Sequence, residues 1–227
     1  MLYLIVLALL LLLILGPQLW VKHVFARYNQ VTEENFPGNG AELARHLLDR
    51  FSLNSVSVEV TDQGDHYDPQ SKSVRLTKDK LTGRTLTAIT TAAHEVGHAL
   101  QDAADERLFR LRGRLATFAI MAQEVGSFLL FTAPVLTLVA HAPYAGIISA
   151  LAAFLVLGSN IIVQAATLPV EFDASFNKAL PLLKSGYLTE QQQVGAKRIL
   201  RAASLTYLAS SLAGLLNFWQ WFRVFRH

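Results

Sequence analysis

A short segment near the middle of the chain carries two histidines and a glutamate at a spacing suited to metal chemistry. His94, Glu95 and His98 form the pattern H-E-x-x-H among small and apolar neighbours. Two histidines four residues apart lie on one face of a helix, and both can bind the same Zn²⁺. Glu95 then lies beside the metal without being a ligand, where it can act on a zinc-activated water. The alternative interpretation is a pair of structural histidines on a buried helix.

A catalytic zinc usually has three protein ligands, so a third must come from elsewhere in the chain. The sequence has no cysteine, which excludes thiolate ligands, disulfides and a cysteine nucleophile. His66 is one candidate. Glu171 is another, because it follows an apolar hairpin that returns the chain to the side of the membrane it left. Its pattern also fits a carboxylate in the first turn of a helix that begins at Pro169.

The composition indicates a membrane protein. Hydrophobic residues make up 52% of the chain and charged residues only 16%, which excludes disorder and a coiled coil. The net charge of +3 is too small to indicate a nucleic-acid partner. The apolar residues lie in blocks, and about 20 apolar residues of helix suffice to cross a bilayer.

Four such blocks divide the chain. We predict an N-terminal transmembrane anchor over residues 1–21, a transmembrane helical hairpin over 115–168 and a C-terminal membrane helix over 202–227. The first block could instead be a cleaved signal peptide, but no Lys or Arg precedes it and no A-x-A-like site follows it. The last block either spans the membrane or packs against the other helices.

Two segments between these blocks are rich in Lys and Arg, and the positive-inside rule places both in the cytoplasm. Residues 22–114 form the predicted metallopeptidase region with the H-E-x-x-H helix, and residues 169–201 contain Glu171. Glu124 lies inside the second block. It is either a functional acid within the membrane or a residue at the interface, depending on where the span begins.

The cytoplasmic region shows a helical pattern followed by strand patterns. Leu43, Leu47 and Leu48 have helical spacing, and residues 56–60 alternate as a strand. Residues 65–69 read as a turn and residues 74–76 as a second strand, which predicts a hairpin. An exposed edge of the second strand could hold a substrate peptide by strand addition. A helix is predicted from about Thr85.

Four segments carry a resemblance to a known family: 65–69, 94–101, 168–175 and 200–207. In these segments the chain resembles the bacterial YugP-like family of neutral zinc metallopeptidases, and the resemblance covers nearly the whole chain. More distantly it is similar to the HtpX and CAAX-prenyl protease group of membrane gluzincins. The resemblance implies one Zn²⁺ per chain held by His94, His98 and Glu171, with Glu95 as general base.

The same resemblance implies the fold class: a mainly α, multi-pass membrane protein with a zincin-like (gluzincin) core and a small β-hairpin sheet before the H-E-x-x-H helix. One departure stands out. The more distant group has an aspartate four residues after its glutamate ligand, where it can orient a zinc histidine. Here that position is Ser175, so either Ser175 does a weaker version of this task or another group does it. Asp102 is a candidate, although a solvated helix residue is the favoured interpretation of it.

Hydrolysis of a peptide also needs a donor for the developing oxyanion. Arg201 and Tyr207 are the preferred candidates because they lie in a segment shared with the family, ahead of Tyr187 and Arg198.

The function predicted from the sequence is a membrane-embedded zinc metalloendopeptidase in the bacterial inner (cell) membrane, with its active site on the cytoplasmic side. Its partners would be a protein or peptide substrate, the lipid bilayer and a membrane protein or a second copy of the chain, and no nucleic acid. The alternatives are a zinc-binding regulatory or scaffold subunit without proteolytic activity and a metal transporter.

Overall fold

The computed structural model describes residues 2–30 and 36–214. The chain divides into two compact units. The described part of the first comprises residues 2–18, 111–167 and 207–214, and that of the second comprises residues 19–30, 36–110 and 168–206.

Three long helices dominate the chain: α1 (Leu2–Tyr28), α5 (Arg107–Pro134) and α6 (Pro143–Phe172). Within the described residues, three helical segments are long and apolar enough to cross a membrane, Tyr3–Asn29, Arg107–Val139 and Pro143–Lys184. They overlap the first three predicted blocks and extend beyond the ends of those blocks. The fourth block begins inside α8 (Glu190–Gly214), and its residues 215–227 lie outside the described part of the chain.

Close packing joins α5 to α6. After α5, residues Val135–Val139 form a π-helical turn, and the chain then reverses into α6. Ser149 donates a hydrogen bond to the Leu129 carbonyl at 2.7 Å, and its hydroxyl lies 2.8 Å from the Thr132 hydroxyl. A Cβ at Gly146 would overlap the Thr137 side chain. Small and hydroxyl-bearing residues therefore let the two helices approach each other closely.

In the second unit, α2 (Gly40–Arg50) begins with a capping box. The Asn39 side chain accepts a hydrogen bond from the Glu42 amide, and the Glu42 carboxylate accepts one from the Asn39 amide. Leu43, Leu47 and Leu48 are buried on one face, which confirms the predicted helical spacing.

The sheet differs from the predicted hairpin. Strands β1 (Ser57–Val60), β2 (His66–Asp68) and β3 (Ser73–Leu76) have the order β1-β3-β2. β1 pairs with β3 in parallel, and β2 pairs with β3 antiparallel. The predicted hairpin was wrong because the segment expected to be a turn contains strand β2. β2 forms the antiparallel pair with β3, and β1 pairs with the opposite edge of β3. β3 is therefore central and offers no free edge, so the predicted substrate edge on this strand was also wrong.

The helix with the H-E-x-x-H pattern, α4 (Leu86–Ala103), follows the short α3 (Lys78–Leu81). It begins where the sequence predicts, because the Thr85 hydroxyl accepts a hydrogen bond from the Ala88 amide at 3.1 Å. α4 is buried along almost its whole length and packs against α2, the sheet and the segment that follows α6.

That segment, Asp173–Ala179, has π-helical geometry and is called the π segment below; α7 (Leu180–Lys184) follows it. Pro169 was predicted to begin a new helix but lies inside α6. A proline within a helix removes one backbone hydrogen bond. Here the loss falls in the last turn of α6, immediately before the change to π geometry. Glu171 is consequently at the C-terminal end of a long helix and not in the first turn of a new one.

Candidate metal centre

The two histidines of the H-E-x-x-H pattern point from one face of α4, one turn apart. His94 is 3% exposed and His98 is fully buried. Their ring centroids lie 4.8 Å apart with the rings inclined at 75°. This is the arrangement that the four-residue spacing predicts. Glu95, between them in sequence, is 5% exposed.

Glu171 completes the group from a different part of the chain. Its Oε2 atom lies 3.4 Å from His94 Nε2 and 3.2 Å from His98 Nε2, and its side chain is buried. One ligand atom from each of the three residues falls within 4.8 Å of the others. Of the two candidates for a third ligand, the structure brings Glu171 to the histidines. The His66 ring instead bonds the Gly64 carbonyl at 2.8 Å.

A glycine allows this approach. A Cβ at Gly97 would lie 2.6 Å from the Ala174 carbonyl oxygen, closer than real Cβ atoms come. The backbone of α4 and the π segment therefore touch directly at Gly97 and Ala174. Glu171 and Ser175 lie on either side of that contact in sequence, so the contact sets their distance from α4.

The second nitrogen of each histidine also has a partner. Ser175 Oγ lies 2.9 Å from His94 Nδ1. Ser175 is therefore placed to orient a histidine, the role that the family resemblance left open for this residue. Gln101 Oε1 lies 2.8 Å from His98 Nδ1. The sequence analysis missed Gln101. Its position three residues after His98, on the same face of the helix, is the signal that could have indicated it.

Asp102 does not orient a histidine in the structure. Its carboxylate accepts hydrogen bonds from the Tyr67 hydroxyl at 2.7 Å and from Lys72 Nζ at 2.5 Å. Asp102 therefore neither orients a histidine nor lies simply in solvent. Through Tyr67 and Lys72 it links α4 to the sheet region. Burial raises the pKa of Tyr67, and the bond to Asp102 raises it further, so the phenol stays a donor. The Phe109 ring lies 6.3 Å from the Tyr67 ring and 6.0 Å from the His98 ring.

The residues present fit a zinc ion. Two imidazole nitrogens and one carboxylate oxygen are a donor set that Zn²⁺ accepts, and three protein ligands are the number found in catalytic zinc sites. Each imidazole is bonded through Nδ1, as outer contacts of metal-binding histidines usually are. A buried carboxylate also costs free energy unless a positive charge compensates it.

The predicted oxyanion donors lie in varied settings. Arg201 is exposed on α8. Tyr207 belongs to the first unit, where the Arg112 guanidinium lies 5.3 Å from its ring centroid. Arg198 donates a hydrogen bond to the Tyr28 hydroxyl at 3.3 Å, and the Tyr187 ring packs edge-on against His46.

Comparison with known proteins shows which family the chain belongs to. A family model described as "Putative neutral zinc metallopeptidase" matches residues 3–226. The chain is 34% identical over 218 residues to the protein named "Putative membrane protease YugP" of Bacillus subtilis (strain 168), a match that covers 93% of this chain and 92% of that protein. No solved structure matches the chain. The chain therefore belongs to this neutral zinc metallopeptidase family, as its four shared segments predicted.

Proposed function

We propose that the protein is a membrane-embedded zinc metalloendopeptidase of the gluzincin type, with zinc held by His94, His98 and Glu171. The convergence of these three side chains supports the proposal most strongly. The two histidines lie on α4 and Glu171 lies on α6, 73 residues after His98, yet their ligand atoms lie within 4.8 Å of one another. A mainly helical fold with three membrane-length helices and the family's description support the membrane and peptidase parts.

Zinc at this centre would supply Lewis-acid chemistry, lowering the pKa of water towards roughly 7 and polarising a peptide carbonyl. The protein's own contribution is to place a base and to exclude solvent. Glu95 follows His94 directly on α4 and is almost fully buried. In the proposed reaction its carboxylate takes the proton of the attacking water and delivers it to the leaving amine nitrogen.

For the oxyanion we propose Arg201 and Tyr207. Both residues lie on α8 in the segment that carries the family resemblance; Arg201 is exposed, and Tyr207 has 36% exposure. Each offers the hydrogen-bond donor that the developing negative charge needs. Arg201→Lys and Tyr207→Phe would each lower kcat with little change in KM if the residue acts only in the transition state.

We further propose the predicted membrane arrangement: residues 1–21 and 115–168 in the bilayer, with residues 22–114 and 169–201 in the cytoplasm of a bacterial cell. The absence of cysteine makes this simple to test. A single cysteine introduced at the exposed Ser71 or Gln191 should resist a membrane-impermeant maleimide in intact cells and react after lysis. Labelling in intact cells would place the site outside.

The deciding experiment compares the detergent-purified full chain with Glu95→Gln, using an unfolded protein as substrate and measuring bound zinc in both. We expect cleavage to fall by about 10²- to 10⁴-fold in Glu95→Gln while zinc stays bound. Glu190→Gln, which changes an exposed glutamate at the start of α8, is the matched control and should cleave normally. Zinc bound to every variant without cleavage by any would contradict the peptidase and favour a scaffold subunit.

A further inference from the structure

We propose that Gln101 and Ser204 are positioning residues, which hold His98 and His94 in the tautomer that carries the proton on Nδ1 and leaves the Nε2 lone pair for a metal. The inference rests on the proposed metal centre. It does not depend on peptide cleavage, because its evidence is the polarity of two buried hydrogen-bond systems.

The first system fixes His98 through a side-chain amide. Gln101 is 1% exposed, and its Nε2 donates to the Val170 carbonyl at 3.0 Å and to the Asp173 carboxylate at 2.9 Å. A carbonyl and a carboxylate only accept, so the amide nitrogen must face them and the amide oxygen must face His98. The 2.8 Å contact between Gln101 Oε1 and His98 Nδ1 then requires a proton on Nδ1.

Lys178 holds the Asp173 carboxylate in place through a salt bridge. Lys178 Nζ lies 3.1 Å from the Asp173 carboxylate and 2.7 Å from Glu106. The aspartate is thereby held as an acceptor for Gln101. Asp173 does not contact His98 directly but orients the Gln101 amide, which contacts His98. Asp173 therefore contributes to the same centre as Ser175, although the two residues point in different directions from the π segment.

The second system fixes His94 through two hydroxyls, both fully buried. His94 Nδ1 lies 2.9 Å from Ser175 Oγ, Ser175 Oγ lies 2.8 Å from Ser204 Oγ, and Ser204 donates to the Leu200 carbonyl at 2.8 Å. The three contacts shorter than 3.0 Å need three hydrogens, and the two hydroxyls supply only two; Ser175 Oγ also lies 3.3 Å from the Leu200 carbonyl oxygen, an acceptor that supplies no hydrogen. The third hydrogen must therefore be on His94 Nδ1, so the hydrogen bonds run from the histidine through both serines to the backbone.

Both systems meet at one stretch of chain. Residues 170–175 supply the carboxylate of Glu171, the two acceptors that orient Gln101 and the hydroxyl that contacts His94. α8 adds Ser204, whose hydroxyl also lies 3.3 Å from the Glu171 carbonyl oxygen. With both Nδ1 protons held, both Nε2 atoms face Glu171, and a metal can bind without a change of tautomer.

The test uses the full chain in detergent and three kinds of measurement. The first is the histidine tautomer of the metal-free wild type, from long-range ¹H–¹⁵N correlation spectra. We expect protons on Nδ1 of both His94 and His98. A ring that carries its proton on Nε2 and none on Nδ1 would overturn the inference, and this measurement needs no variant that could fail to fold.

The second and third are zinc affinity by chelator competition and the Co²⁺ absorption spectrum, for Gln101→Met and Ser204→Ala. Loss of an outer contact weakens metal binding by roughly 10- to 100-fold, and we expect a loss of this size in each variant. The Co²⁺ bands should shift as the ligand geometry relaxes. The matched controls Gln191→Met and Ser185→Ala change exposed residues and should bind zinc normally.

Unchanged zinc affinity and unchanged Co²⁺ spectra in both test variants would refute the positioning role. Failure of the peptidase proposal has a different signature. If no cleavage is found but the tautomers and affinities behave as described, the positioning role stands and only the catalytic assignment falls.

Discussion

The direct backbone contact between Gly97 and Ala174 leads to a sharp prediction for Gly97→Ala. The added methyl group would lie 2.6 Å from the Ala174 carbonyl oxygen and 3.2 Å from its carbonyl carbon. These neighbours are backbone atoms and cannot rotate away. α4 and the π segment must therefore separate by several tenths of an ångström, which draws Glu171 and Ser175 away from the two histidines.

Two opposing effects set the size of the change in stability. Overpacking a close contact costs typically about 1–3 kcal/mol. Replacing a helical glycine with alanine stabilises the helix by about 1 kcal/mol. We expect the free energy of unfolding of the metal-free protein to fall by about 0–2 kcal/mol. The effect on zinc should be larger, because the 2.9 Å bond between Ser175 and His94 is lost, and we expect zinc affinity to fall by roughly 10- to 100-fold.

The assay is chelator competition for zinc on the purified full chain, with thermal unfolding measured in parallel. Gly113→Ala in α5 is the matched control, since a Cβ there meets open space. That variant should bind zinc normally and be no less stable than the wild type. If Gly97→Ala binds zinc with wild-type affinity, the close contact does not set the ligand geometry and the reasoning fails.

Three further predictions concern stability. Burial tends to raise the pKa of Asp68, but hydrogen bonds from Gln70 and Ser71 outweigh it and lower the pKa below its ordinary value. The ionised carboxylate therefore stabilises the fold above pH about 4. The difference in melting temperature between the wild type and Asp68→Asn should shrink as the pH falls through the lowered pKa. Asn39→Ala removes the capping box of α2 and should cost about 0.5–2 kcal/mol in denaturant unfolding without changing zinc affinity. When free zinc is at least 100 times its Kd, removing the zinc with a chelator should lower the free energy of unfolding of the wild type by about 2.7 kcal/mol or more. The same treatment should leave the free energy of unfolding of Glu171→Gln almost unchanged.

The sequence predicted the parts of the site that local spacing determines. A four-residue interval places His94 and His98 on one helical face whatever surrounds them, and Thr85 marks the start of that helix by its capping hydroxyl. Glu171 needed the additional knowledge of where a hairpin returns the chain. From the pattern alone a carboxylate at a helix start was an equal alternative for Glu171, and His66 was a further possible ligand.

The errors arose where non-local pairing decides the structure. Alternating residues 56–60 and 74–76 predict strands but not their partners, and a three-residue strand at His66–Asp68 is too short to leave a pattern. Pro169 is a common helix start but was overridden by the continuous helix around it. Gln101 lies three residues after His98, but it was missed because a glutamine has no characteristic metal spacing and its role depends on acceptors some 70 residues away.

The π geometry of Asp173–Ala179 has a consequence for how such a centre can evolve. A π turn holds one more residue than an α turn, so the two forms differ by an insertion or deletion and not by a substitution. Deleting one residue here would rotate all that follows by about 100° relative to Glu171. Point mutations can tune the contacts of this segment, but gain or loss of its shape requires a change in chain length. Across relatives, the length of this segment should therefore be more strictly preserved than its composition.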